Sequence, residues 1–244
     1  MIYDYFLSAM KEGKKLLAIL LDPDKLNQEL LNDLILKVND SAVNLILVGG
    51  SSVPKNATDE LVLNLRKKTS LPIVLFPGNF EQITPHADGV LFLSLISGRN
   101  PEYLINQQVK AVPHIQNTDL EIIPTGYILI DGGKETAVQK VSGTKPLLAQ
   151  DIEQITRTAM AGMYMGNKVI YLEAGSGASN PVLPKVIKAV KETISIPLIV
   201  GGGIRSEKEL QEAYDNGADL VVIGTAFEEN SNLLINFTKN EHIH

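Results

Sequence analysis

Glu173, Asp22 and Ser51 are the side chains whose type and setting suit chemistry in this chain, and each closes or follows a short apolar run. Glu173 sits in KVIYLEA (168–174), ahead of Gly175, Ser176 and Gly177. A carboxylate there fits a structural ion pair, or it orients a bound hydroxyl and takes its proton. A lysine at that position would suggest a Schiff-base aldolase, and there is none. Asp22 ends LLAILLD (16–22) and precedes Pro23, Asp24 and Lys25. It fits a helix cap, a general base or a metal ligand. Asp24 can cap the following helix, which gives one of the two carboxylates a structural role. Ser51 follows NLILVGG (44–50) and offers a neutral hydroxyl. One carboxylate, one hydroxyl and several waters suit Mg2+, which keeps much of its hydration and shares phosphate oxygens with a substrate.

A second chemical signal lies near the end of the chain. PLIVGGG (197–203) is followed by Ile204, Arg205 and a capping box, Ser206 with Glu209. Gly224 and Thr225 follow in LVVIGTA (220–226). Glycines let backbone N–H groups approach an anion, and a helix N-terminus adds partial positive charge. Each turn alone is common. Together, after the last two runs, Gly202, Gly203, Gly224 and Thr225 point to a phosphate monoester. Arg99, in SLISGRNP, fits a surface position at a helix start or a place facing an anionic leaving group. His86 and His114 are isolated and read as loop or surface residues, and Tyr3, Tyr5 and Phe6 as packing at the bottom of the fold.

These groups need a frame that brings them to one rim. Besides the runs already quoted, PIVLFPG (72–78), GVLFLSL (89–95) and GYILIDG (126–132) bring the total to eight. They are rich in Leu, Ile and Val with little polar alternation, as strands buried on both faces are. Helical spacing lies between them: Leu26 to Val38, 54–68, 101–110, 151–165, a start at Asn180-Pro181, the segment after Ser206, and 227–238. Only a short or irregular helix fits 79–87. Eight alternating units predict a single (β/α)8 TIM barrel over residues 1–244, with the working groups at the C-terminal ends of the strands. An open doubly wound sheet is the alternative. The connection 131–150 is long enough to be a functional lid.

The composition narrows the classes further. Of 244 residues, 44% are hydrophobic and 20% charged, with 22 Lys+Arg against 28 Asp+Glu and no Cys. Disordered, collagen-like and disulfide-stapled classes are excluded. So are thiol nucleophiles and zinc–thiolate sites. An acidic chain poor in aromatics argues against nucleic acid as partner. No apolar run is long enough for a transmembrane helix, the first fifteen residues lack a signal-peptide core, and a cytoplasmic location is expected.

ILLDPDK, ILVGGSS, YLEAGSG, GGGIRS and IGTA, in this order on eight units, resemble the geranylgeranylglyceryl phosphate synthase family over nearly the whole chain. IPTGYILIDGG (123–133) resembles the version found in one of its two branches. The resemblance implies a TIM-barrel prenyltransferase that acts on sn-glycerol 1-phosphate and a polyprenyl diphosphate. It implies Mg2+ at Asp22 and Ser51. Tyr171, Leu172, Glu173, Ala174, Gly175, Ser176 and Gly177, with Gly202, Gly203, Gly224 and Thr225, would hold the glycerol phosphate. Lys25, in the LDPxK pattern, would serve the diphosphate, and Arg99, read from its position alone, is a candidate for the same anion. A homo-oligomer with at most transient membrane contact is expected. Some bacterial relatives carry Lys two residues before the metal aspartate; here that position is Leu20, which places the chain in the other branch.

Two rival readings remain at this level. A phosphosugar isomerase would use Asp22 and Asp131 as an acid/base pair across the mouth, leaving Ser51 and Glu173 without a role. A non-catalytic phosphometabolite-binding protein would need the glycines alone.

Overall fold

The computed structural model describes residues 1–26 and 28–224. Its eight strands are β1 (Leu16–Leu21), β2 (Leu45–Val48), β3 (Ile73–Leu75), β4 (Gly89–Leu95), β5 (Glu121–Leu129), β6 (Val169–Glu173), β7 (Leu198–Gly201) and β8 (Leu220–Ile223). All are parallel and paired in chain order, and β8 returns to β1, so the sheet is a closed barrel rather than an open one. The helices are α1 (Ile2–Lys11), α2 (Gln28–Asn39), α3 (Ala57–Arg66), α4 (Gln107–Ile115), α5 (Ala137–Ser142), α6 (Ile152–Tyr164), α7 (Pro184–Thr193) and α8 (Glu207–Asp215). A single 3-10 turn, Phe80–Gln82, stands between β3 and β4, as the short 79–87 segment requires. A π-helical turn, Glu102–Asn106, leads into α4.

Alternation along each strand builds two apolar layers. Leu16, Ala18, Leu45, Leu47, Val74, Tyr171 and Ile199 fill the barrel, while Leu17, Ile19, Ile46, Val48, Leu172 and Val200 face the helices. Both faces are buried, which is why the runs lack polar alternation. Gly201 faces inward, where a Cβ would collide with the Tyr171 hydroxyl; its lack of a side chain gives that ring its space. At the bottom, α1 closes the barrel: Phe6 and Ala9 are buried in the inner layer. The Glu121 carboxylate at the start of β5 accepts the N–H groups of Ile2 and Tyr3, satisfying two of the amides a helix start leaves open.

Three strand starts share a device. Asn44 Oδ1 accepts Leu17 N–H at 2.8 Å, Asp88 Oδ2 accepts Ile73 N–H at 2.8 Å, and Asp219 Oδ2 accepts Leu198 N–H at 2.7 Å. In each case a side chain just ahead of an even-numbered strand pins the preceding odd-numbered one, fixing register where pairing begins. Asp219 also holds Lys191 at 2.6 Å.

Several boundaries differ from the sequence expectation. β5 begins at Glu121, ahead of the apolar run, because Glu121, Pro124 and Thr125 disguise its first half. α7 begins at Pro184 with Leu183 as N-cap, not at Asn180-Pro181, because Asn180 N–H is taken by Gly132 O at 3.0 Å in a loop contact. α2 starts at Gln28, four residues past Asp24. The expected helix 227–238 lies outside the described residues.

Asp219→Ala should lower the stability of the folded protein by roughly 2–4 kcal/mol in urea denaturation, because it leaves Lys191 and the Leu198 amide without their acceptor. Turnover of the surviving folded protein should change by less than about twofold, since the site lies at the opposite pole.

Candidate active site

The C-terminal ends of the strands enclose a cleft of about 710 Å³, within the range typical of small-molecule sites. Asp22, Lys25, Ser51, Tyr171, Glu173, Ser176, Gly177, Gly202, Gly203 and Gly224 all line it. One rim therefore gathers groups from β1, β2, β6, β7 and β8.

Glu173 is the last residue of β6 and points inward by strand alternation. It is 5% exposed, and its Oε1 accepts Gly175 N–H at 2.6 Å. Burial pushes its carboxyl up to about 7, against the pull of the Gly175 amide and the Tyr171 hydroxyl. A carboxyl balanced near neutrality is suited to accept a proton from a substrate hydroxyl. The Tyr171 hydroxyl is buried without a hydrogen-bond partner of regular geometry. Burial first, and the Glu173 charge second, hold the phenols of Tyr171 and Tyr127 well above their usual range, so both stay protonated.

The glycine turns lie beside this carboxyl. Gly202 and Gly203 adopt left-handed conformations, with φ of +82° and +76°. A Cβ at Gly202 would collide with Glu173 Oε1, so the loop after β7 presses directly on the acid. The helix after this loop carries its own cap. α8 begins at Glu207, its N-terminus is capped by Ser206, and Glu207 and Glu209 occupy its first turn. Ser206 Oγ accepts the Glu209 N–H at 3.2 Å, and Glu209 Oε2 accepts the Arg205 N–H at 2.7 Å.

The opposite pole holds Asp22, Lys25 and Ser51. Asp22 Oδ1 accepts Asp24 N–H at 3.1 Å, and Lys25 Nζ lies 3.6 Å from Asp22 Oδ2. The carboxylate stands over Gly50, where a Cβ would sit 2.6 Å from Oδ1. The buried Gln82 fixes that turn. Its Nε2 donates to Gly50 O at 2.7 Å, and its Oε1 accepts Gly50 N–H and Gly78 N–H, each at 3.2 Å. Among the described residues no three His, Cys, Asp or Glu gather as a metal cluster. A partly exposed carboxylate beside a serine turn is a hard-oxygen donor set of the kind Mg2+ uses with water completing its shell.

Between the poles the floor is aromatic. Phe76 and Tyr171 stack with ring centroids 5.1 Å apart, and Tyr127 packs 5.3 Å from Tyr171 and 5.8 Å from Phe76. The cleft then continues along an apolar wall that includes Ile83, Leu93, Tyr103, Ala111 and Val138. Val138 belongs to α5, so the long 131–150 connection does reach over the mouth and carries a helix.

Some expected site residues fall elsewhere. Leu172 and Ala174 face the helix layer and do not line the cleft; Gly175 contributes through its bond to Glu173. Arg99 is exposed and turns back onto the carbonyls of Gly98 (2.6 Å) and Ile96 (3.3 Å), away from the lining. Asp131 closes its own turn by accepting Gly133 N–H at 2.8 Å and is also outside the lining, which removes the acid/base pair the isomerase reading needs. Leu20 lines the cleft near Gly224, so the position where some relatives carry Lys is apolar here. His86 lies on the surface near Asp59, and His114 packs on Phe80. Thr225 lies outside the described residues. Phe76, Tyr127, Gln82, Lys134 and Arg205 were not singled out by sequence for the site, yet all but the buried positioning side chain of Gln82 line it.

The PcrB family model matches residues 9–241. A geranylgeranylglyceryl phosphate synthase of Zunongwangia profunda is 56% identical over 227 residues, covering 93% of this chain and 97% of that protein. One of Flavobacterium johnsoniae is 53% identical, covering 94% and 95%. The crystal structure of (S)-3-O-geranylgeranylglyceryl phosphate synthase from Thermoplasma acidophilum in complex with its substrate sn-glycerol-1-phosphate superimposes with a TM-score of 0.90 at 31% identity, covering 96% of this chain and 94% of that one. A closed barrel of matching topology and relatives of more than half identity over almost the full length agree with the match: the chain belongs to the PcrB family of geranylgeranylglyceryl phosphate synthases.

Proposed function

We propose that this protein transfers a polyprenyl group, geranylgeranyl by its relatives' naming, from its diphosphate to the C3 hydroxyl of sn-glycerol 1-phosphate. The observation that carries the reading is the buried Glu173 in contact with the glycine turns of the same cleft. An anion held by those turns would place its glycerol hydroxyls toward the carboxyl. The hydroxyl oxygen attacks the allylic carbon, and the bond from that carbon to the diphosphate oxygen breaks with its electron pair leaving on diphosphate. The hydroxyl proton passes to Glu173. Two substrates held in one geometry can recover roughly 7–11 kcal/mol of the barrier. The aromatic floor offers ring faces to positive charge as it develops on the allylic carbon.

Asp22 and Ser51 would hold Mg2+ at the diphosphate end, with Lys25 beside them. When bound, the ion supplies Lewis-acid stabilisation of the departing diphosphate. The apolar wall toward Leu93 and Ala111 would take the prenyl tail. No helix among the described residues is long and apolar enough to cross a membrane. The protein would work as a cytoplasmic homo-oligomer that meets its lipid-like substrates by transient contact.

The direct test is transfer of label from glycerol 1-phosphate into an organic-extractable product with prenyl diphosphates of several lengths. Glu173→Gln should lower kcat by about 10²–10⁴, the range for loss of a general base. Near-normal turnover of that variant would remove the proposed role.

The wild-type kcat should rise with pH through about 7, as Glu173 gives up its proton. Stability should move the other way. The folded state holds this proton more tightly than the unfolded chain does, so wild-type stability relative to Glu173→Gln falls as pH rises from the ordinary carboxyl range to about 7, by roughly 3 kcal/mol in total. Denaturant titrations of both proteins at acidic and alkaline pH would measure the difference.

Chelation by EDTA should abolish transfer, and Mg2+ should restore it. Undiminished turnover in EDTA would overturn the assignment of a metal to Asp22 and Ser51.

A further inference from the structure

We propose that Arg205 is the positioning residue of the phosphate cradle: its guanidinium ties the loop after β7 to the loop after β6 and sets the spacing at which their glycine turns face the anion. The inference rests on reading those turns as the glycerol phosphate subsite.

The geometry is that of a strap. Arg205 Nη2 donates to Ala178 O at 2.5 Å, and Nη1 donates to Gly203 O at 3.3 Å. The two acceptors belong to different loops. Each end of the strap is itself anchored. Arg205 N–H donates to Glu209 Oε2 at 2.7 Å, and Ser206 Oγ lies 3.0 Å from the same oxygen, so the first turn of α8 fixes the arginine backbone. Ala178 is fully buried, and its N–H donates to Gly175 O at 3.1 Å. That bond closes the short turn carrying Ser176 and Gly177, both of which line the cleft.

The loops also touch directly: a Cβ at Gly203 would lie 2.7 Å from Asn180 O. Glycine turns of this kind lose much conformational entropy when ordered, so a cradle made of them needs outside constraint. The guanidinium fork is suited to reach two carbonyls at once, which a lysine ammonium on a flexible stem does less well. Both acceptors are neutral carbonyls, and Arg205 itself lines the cleft.

The test is steady-state kinetics of wild type, Arg205→Gln and Arg205→Lys, varying glycerol 1-phosphate and geranylgeranyl diphosphate independently, with amide hydrogen exchange across 175–180. Arg205→Gln should raise KM for glycerol 1-phosphate about tenfold or more, as expected for loss of charged hydrogen bonds. It should leave kcat and the KM for the diphosphate within about twofold. Exchange at 176–180 should quicken, and Arg205→Lys should fall between. An unchanged KM for glycerol 1-phosphate in Arg205→Gln would overturn the proposal, as would an equal rise in both KM values with a lowered Tm. Wild-type protein that shows no saturable dependence on glycerol 1-phosphate would instead overturn the subsite reading itself.

Discussion

The site depends on a carboxyl taken out of water. Glu173 lies at the top of a closed ring of strands, with the Tyr171 ring beneath it and the glycine turns over it. Its single strong hydrogen bond, from Gly175, does not offset the cost of burial, and its proton is therefore held to about neutrality. Such a group is unfavourable for folding above that pH and useful for proton transfer near it. The ring closure that buries it also places it against the loops of β7. An open sheet would leave the same residue at a solvated edge, with an ordinary carboxyl's affinity for protons.

The two poles of the cleft are held by different means. At the Asp22 pole the polar groups reach water, and the turn carrying Ser51 is fixed by one buried amide, Gln82, which uses both of its polar atoms on the backbone of two loops. At the glycine pole the chain is shaped by close approach: Gly202 against Glu173, and Gly203 against Asn180. The bottom of the barrel carries none of this strain. Asn44, Asp88 and Asp219 pin strand starts there with ordinary hydrogen bonds, and α1 seals the end. These pins lie at the end of the barrel away from the cleft.

The ring of strands was legible because both strand faces are buried, which leaves unbroken runs such as LLAILL and LVVI. β5 was only half legible, since Pro124 and Glu121 do not look like strand residues. Both are nonetheless accommodated by the fold, because Pro124 O accepts Lys168 N–H and Glu121 caps α1. Glu173, Asp22, Ser51 and the glycine turns could be placed at one rim because each ends a run. Strand alternation carries a further signal: counting from Glu173, Leu172 and Ala174 must point away from the mouth. Other features had no local signal. The packing of Phe76, just after β3, on Tyr127 and Tyr171 of the neighbouring strands β5 and β6 joins residues far apart in the chain, and Gln82 and Arg205 act on backbone groups that any sequence supplies.

Two carboxylates in one cleft have different surroundings, and the roles proposed for them follow from that difference. Asp22 is open to solvent on one side and faces Lys25, a setting in which a cation and its waters fit beside a departing diphosphate. Glu173 is dry and faces amides and phenols, a setting in which a proton is the particle most easily exchanged. In the proposed reaction the aromatic floor between them would keep water from the reacting carbon, where it would compete with the glycerol hydroxyl for the prenyl group. Exchanging the two acids would defeat both proposed roles: a buried metal ligand would lose the water shell Mg2+ needs, and a solvated base would be a weak acceptor at neutral pH. The division of labour follows from depth in the barrel mouth, and depth follows from which strand each residue ends.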